Sequence, residues 1–295
     1  MSGPMKASQI DVAKITFSPP KTLDNGGKML YLNYNGGINP IHLVTPEVSI
    51  PFDPSYFPDN GTNGKYALKI SLNNLDDKAM REFRDKLVEL DGLLMNAAVE
   101  NSKVWFKKPK LSLETVKELY TPQVKVHTDQ ETGEPTGKWP DQFGFKVVMK
   151  DNKFPNLSVY DNNKVKFDIN RETDTPTDIN SVLMKGSLIK AVLKCNGIWI
   201  ANGKFGCTWR AEQIRVKVPE GGLKEFAILS DSEDEDGDVD VIVQEPTKDV
   251  VNLIDDSSDE DDLVENIVKE DVVDDTKVEP KVVKKKVRVK KATAE

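Results

Sequence analysis

The stretch Ser187–Val218 reads SLIKAVLKCNGIWIANGKFGCTWRAEQIRVKV, and it decides the fold. Ile189, Ala191, Leu193 and Cys195 alternate with Lys190 and Lys194. Further on, Ile214, Val216 and Val218 alternate with Gln213, Arg215 and Lys217. A period of two belongs to an extended strand, whose successive side chains face opposite sides. Strands are therefore expected over Ser187–Cys195, Ile198–Asn202 and Thr208–Val218, the first and last with an apolar side for a core and a basic side for solvent.

The pattern recurs upstream. Phe143, Phe145, Val147 and Met149 alternate with Lys146 and Lys150 over Gln142–Lys150, and Val165, Phe167 and Ile169 alternate with Lys164, Lys166 and Asp168 over Lys164–Ile169. Shorter strands are expected at Ala13–Phe17, Met29–Tyr34, His42–Ile50, Lys65–Leu72 and Gln123–His127, separated by turn signals such as Asn25-Gly26-Gly27 and Asn35-Gly36-Gly37. A long polar loop, Thr128–Asp141, precedes Gln142. The period changes once: Met80, Phe83, Leu87, Leu90 and Leu94 step by three and four, which predicts one amphipathic helix capped by Asn74. A short helix is expected at Leu113–Leu119.

The chain has 295 residues and a net charge of -8, unevenly distributed. Met1–Ser230 carries +4, Asp231–Pro280 carries -18 and Lys281–Glu295 carries +6. The acidic run has few large apolar groups to offset chain entropy, so it is expected to be disordered. No run of 18 apolar residues is present to span a membrane, and the first residues lack a signal-peptide core. Two cysteines, Cys195 and Cys207, fit a reducing intracellular setting.

Between Asn101 and Lys217 the net charge is +7. Neighbouring strands would merge their basic rows into one positive surface, and a polyanion would relieve the repulsion between like charges set side by side. Aromatics lie among the bases: Trp199, Phe205 and Trp209 accompany Lys204 and Arg210, and Trp209 shares strand parity with Arg215 and Lys217. Trp105 with Lys107, Lys108 and Lys110 forms a weaker cluster of the same kind. Cations that track phosphates and rings that stack on bases are the combination that holds single-stranded nucleic acid. The blander reading is that lysines keep exposed strands soluble and tryptophans fill the core.

Catalytic signals are poor. His42 and His127 have no neighbouring cysteine, the two cysteines lack zinc spacing, and neither a phosphate-binding loop nor a dinucleotide Gly-rich turn occurs. No enzyme activity, metal or cofactor is expected. In the tail, Val251, Leu253 and Ile254 followed by Asp255 and Asp256 form an apolar strand flanked by acids, which is similar to a SUMO-interacting motif and suited to adding to a partner's sheet edge. Ser230, Ser232, Ser257 and Ser258 amid acids suit acidophilic kinases.

Lys185-Gly186-Ser187, Gly197-Ile198-Trp199, Gly203-Lys204-Phe205-Gly206, Thr208-Trp209 and Gln213 together resemble the single-stranded-DNA-binding proteins of nucleo-cytoplasmic large DNA viruses, related to phage replication proteins with acidic tails. The resemblance is strongest over Tyr120–Val218. It implies a mostly β, OB-fold-type barrel that coats single strands, and a tail that contacts a replication polymerase or helicase. The phage relatives end in acids and an aromatic, whereas this chain ends in Lys284-Lys285-Lys286-Val287-Arg288 and Ala-Thr-Ala-Glu.

The expected organisation is a nucleic-acid-binding body over 1–222 with extra strands and the long helix, an acidic tail over 223–280 and a basic end over 281–295. The expected DNA-binding residues are Lys146, Lys150, Lys190, Lys194, Lys204, Arg210, Arg215 and Lys217 for phosphates, with Trp199, Phe205 and Trp209 as the aromatic partners. Single-stranded DNA is the expected partner, no membrane is involved, and a homodimer is allowed. The expected setting is the host nucleus or a cytoplasmic viral factory, with packaging in the virion also open. The competing class is an acidic chaperone or transcription-associated scaffold that binds basic proteins through its tail.

Overall fold

The computed structural model describes residues 3–59 and 61–219. The acidic and basic segments, with Val251, Leu253, Ile254, Asp255 and Asp256, lie outside the described residues. In chain order come β1 (Met5–Lys6), β2 (Ile15–Phe17), β3 (Lys21–Thr22), β4 (Lys28–Leu30), β5 (Leu32–Tyr34), β6 (His42–Val44), β7 (Val48–Ser49), β8 (Ser55–Pro58) and β9 (Gly64–Ser71). Three helices follow: α1 (Lys78–Glu100), α2 (Ser102–Phe106) and α3 (Leu113–Leu119). Then come β10 (Tyr120–Thr121), β11 (Val124–Lys125), β12 (Gln142–Met149), β13 (Ser158–Tyr160), α4 (Ile179–Val182), β14 (Leu188–Ala201) and β15 (Lys204–Lys217). The body is mostly β with one long helix.

Strand pairing returns to its start. β14 pairs with β7 at Leu188–Ser49, β7 with β9 at Ser49–Ser71, β9 with β12 along their length, β12 with β15 at Lys146–Arg210, and β15 with β14. The inner side of this ring carries Leu68, Ile70, Phe143, Phe145, Val147, Ile189, Ala191, Leu193, Ile214 and Val216, all buried. That is the apolar parity of the sequence. The two expected strands around Gly197 are one continuous strand, β14. Lys164–Ile169 is not a strand. Asp161 and Val165 close a turn on each other, Lys164 takes a left-handed backbone, and Val165 is exposed. Lys166 alone bridges to Tyr160.

α1 starts at Asp77, not Asn74, because the Asp77 carboxylate accepts the Met80 N–H at 2.8 Å. Its stripe of Met80, Phe83, Leu87, Leu90 and Leu94 is buried, and Phe83 meets Phe143 edge to face at 5.7 Å, so the helix covers one end of the ring's interior. One polar residue sits on that stripe. Asp91 accepts hydrogen bonds from the Tyr120 hydroxyl at 2.5 Å, the Gln123 side-chain amide at 2.7 Å and the Gln123 backbone N–H at 3.1 Å. Burial pushes the Asp91 carboxyl up, and these donors pull it partly back.

Two irregularities interrupt the β14–β15 ladder. Ala211 lies opposite Leu193 and Gln213 opposite Val192, which leaves Glu212 as an extra residue; likewise Trp209 faces Cys195 and Thr208 faces Gly197, which leaves Asn196 extra. These are β-bulges. At the second, Gly197 has φ +118° and an added Cβ would stand 2.2 Å from the Leu30 carbonyl oxygen, so only glycine lets β4 approach this closely.

Candidate nucleic-acid interface

Residues directly opposite on paired strands point to one side of a sheet. Register therefore builds the outer surface of the ring row by row. One row runs Lys146 on β12, Arg210 on β15, Lys194 on β14 and His42 on β6. A second runs Lys166, Tyr160 on β13, Arg215 on β15 and Lys190 on β14. Lys217, opposite Leu188, extends the same face. At a strand spacing of about 4.8 Å, each row crosses roughly 15 Å.

Six of the expected phosphate-contacting residues, Lys146, Lys190, Lys194, Arg210, Arg215 and Lys217, thus share one face. Lys150 lies just past β12, in an exposed turn closed by Lys153. Lys204 is apart, at the β14–β15 turn. The neighbouring Asn202 and Gly203 line a cavity of about 240 Å³ with Lys28, Lys107, Lys108 and the aromatic pair Trp105–Phe106. There the Lys28 ammonium donates to the Trp105 carbonyl at 2.6 Å; burial, then the charge of Lys107, lower its pKa.

Two acids enter the face. Glu47 meets Arg215 at 3.5 Å, exposed on both sides. Glu212 is half-buried and central: Oε1 lies 3.3 Å from Arg210 Nη2 and 3.8 Å from Lys194 Nζ, and Oε2 lies 3.1 Å from His42 Nε2. Burial pushes its pKa up, but the His42 hydrogen bond and the surrounding cationic groups outweigh it and hold the carboxyl below its ordinary range. His42 Nδ1 and Arg210 Nε are buried without a partner.

The aromatic expectation is corrected. Trp209 is 1% exposed, Phe205 0% and Trp199 7%, so none presents a ring face to a base. Trp209 shares odd-numbered parity with Arg215 and Lys217, but the extra residue at Glu212 shifts the phase between them and turns the ring inward. Trp209 instead points inward and donates its indole N–H to Gln123 Oε1 at 2.5 Å, which joins it to the Asp91 network. Phe205 is ringed by Tyr120, Phe106 and Trp105 at 5.0, 5.2 and 6.5 Å between centroids. Trp199 packs over Gly206, where a Cβ would stand 3.0 Å from its ring.

Sequence reasoning missed other rings. Tyr160 lies within the second basic row. Trp139, in the loop before β12, is 49% exposed, and Tyr56 on β8 is exposed beside Tyr66. The available signal for Trp139 was an aromatic isolated in a polar loop.

No protein-family model matches the chain, and no curated protein matches it either. Solved structures do align with it. The single-stranded DNA-binding protein gp2.5 encoded by bacteriophage T7 is 18% identical, with 63% of this chain and 91% of that chain covered and a TM-score of 0.37. The single-stranded DNA-binding protein from bacteriophage Enc34 in complex with ssDNA is 12% identical, with 68% and 96% covered and a TM-score of 0.38. A C-terminal truncation of the Enc34 protein aligns over 72% of this chain and 99% of its own, at 12% identity and a TM-score of 0.37.

Proposed function

We propose that the chain binds single-stranded DNA without reading sequence, across the outer face of β12, β13, β14 and β15, and that it acts in viral DNA replication, recombination or repair. The observation that carries this is the pair of cross-strand cationic rows, one of them holding Tyr160. Cations spaced across a sheet neutralise phosphates, which carry no sequence information. A ring of five paired strands has the strand count of an OB-type barrel. Tyr160, within the second row, replaces Trp199, Phe205 and Trp209 as the ring for stacking, and the exposed Trp139 is a second candidate. The acidic segment 223–280 competes with DNA for the basic face and recruits a polymerase or helicase; held on the same chain as the body of 1–222, it acts at an effective concentration on the order of millimolar.

Titration of the full chain with labelled oligo-dT over a range of salt tests the reading. The log–log slope of affinity against salt is expected at roughly -0.7 per phosphate contacted. Deleting Asp231–Glu295 is expected to tighten binding at low salt. Salt-independent binding, or binding carried only by the deleted tail, favours the scaffold class instead.

A further inference from the structure

The first basic row contains its own anion. Alternation from Arg210 puts Glu212 on the outer side but would send Ile214 and Val216 after it; the bulge at Glu212 resets the phase, so that Gln213, Arg215 and Lys217 are outward too and the acid shares the face with the cations. The resulting carboxylate sits among Arg210, Lys194 and His42 as a phosphate would, and its two oxygens divide the work. Oε1 faces Arg210 and Lys194, while Oε2 faces His42. Arg210 is not used fully: a single Nη reaches Glu212, and Nε has no partner, whereas a guanidinium matched to a phosphate would offer two parallel donors.

We propose that Glu212 is a built-in counter-ion that limits the affinity of this face for polynucleotide phosphate. In the free protein it holds Arg210 and Lys194 together and keeps the row from repelling itself. A bound phosphate takes Arg210 and Lys194 from Oε1, while Oε2 keeps His42. The carboxylate that remains is a like charge beside the phosphate, so strands are held less tightly than the number of cations implies and release more readily. Glu47 plays this part only weakly, because its single ion pair with Arg215 is exposed and screened. This inference rests on the reading of the face as a DNA-binding surface.

The experiment compares wild type, Glu212→Gln and Glu47→Gln as full chains against labelled oligo-dT over a salt series, with a thermal melt of each. Glu212→Gln keeps the shape of the side chain and removes its charge. It is expected to bind about three- to tenfold more tightly at low salt, and its salt slope is expected to steepen by about 0.7. Glu47→Gln is expected to stay within about twofold of wild type. A folded Glu212→Gln that binds equally or more weakly overturns the proposal and makes Glu212 a residue that merely orders the cations. If Glu212→Gln fails to melt cooperatively, Glu212→Ala decides by the same readout: tighter binding than wild type is expected, and equal or weaker binding overturns the proposal. A wild type that binds no oligo-dT removes the underlying reading and this inference with it; a wild type that binds while the folded Glu212 variant behaves contrary to expectation removes the inference alone.

Discussion

The two sides of the β14–β15 pair make opposite use of the same residues' neighbours. Inward, Leu193, Trp209, Ala211 and Ile214 are buried in the core, and Trp209 meets Phe143 and is tied by its indole N–H to Gln123. Outward, Lys190, Lys194, Arg210 and Arg215 meet across the ladder and are tempered by Glu212 and Glu47. The aromatics belong to stability, and the cations are the residues we propose for binding. In a two-faced sheet, a residue one position out of phase changes role entirely.

Deleting Ala211 attacks this contrast most directly. Its inward place opposite Leu193 then falls to Glu212, whose carboxylate is buried among apolar side chains unless Trp209 or Ile214 turns outward instead, so a loss of cooperative unfolding by circular dichroism is expected. Trp209→Ala is expected to cost about 3–5 kcal/mol in denaturant unfolding, from the cavity and the stranded Gln123 acceptor, while the folded fraction keeps its affinity for oligo-dT. Lys190→Ala with Arg215→Ala is the mirror experiment. Stability is expected to move by less than about 0.5 kcal/mol per site, and the salt slope of binding is expected to shallow by about 1.4 in total. The smallest effect is expected from Trp139→Phe. Stability changes by less than about 0.5 kcal/mol, but the variant should lose the component of tryptophan emission that acrylamide and oligo-dT quench, because Trp105, Trp199 and Trp209 are buried.

Much of this was legible in the letters. The stripe from Met80 to Leu94 is the buried face of α1, and α3 spans Leu113–Leu119 as expected. The basic parity of Lys146, Lys190, Lys194, Arg215 and Lys217 is the outer parity of the sheet. The misses have physical causes. β8 hid because Pro54 and Pro58 bracket it, and proline marks strand edges. The run at Lys164–Ile169 alternates well, yet Asp161 captures the Val165 N–H and turns the chain before a ladder can form. The helix starts at Asp77 where Asn74 was equally eligible, since both are good caps and only packing of the stripe chooses between them.

By itself, the sequence determined what each segment can bury: alternation and helical spacing are properties of one strand or one helix, and net charge is a property of composition. The tertiary structure decided which strands meet, where the ladder admits an extra residue, and hence which way each ring and each charge faces. A bulge exists only between two partners, so Trp209 could not be placed, nor Glu212 found among Arg210, Lys194 and His42, until the register of β15 against β14, β12 and β6 was fixed.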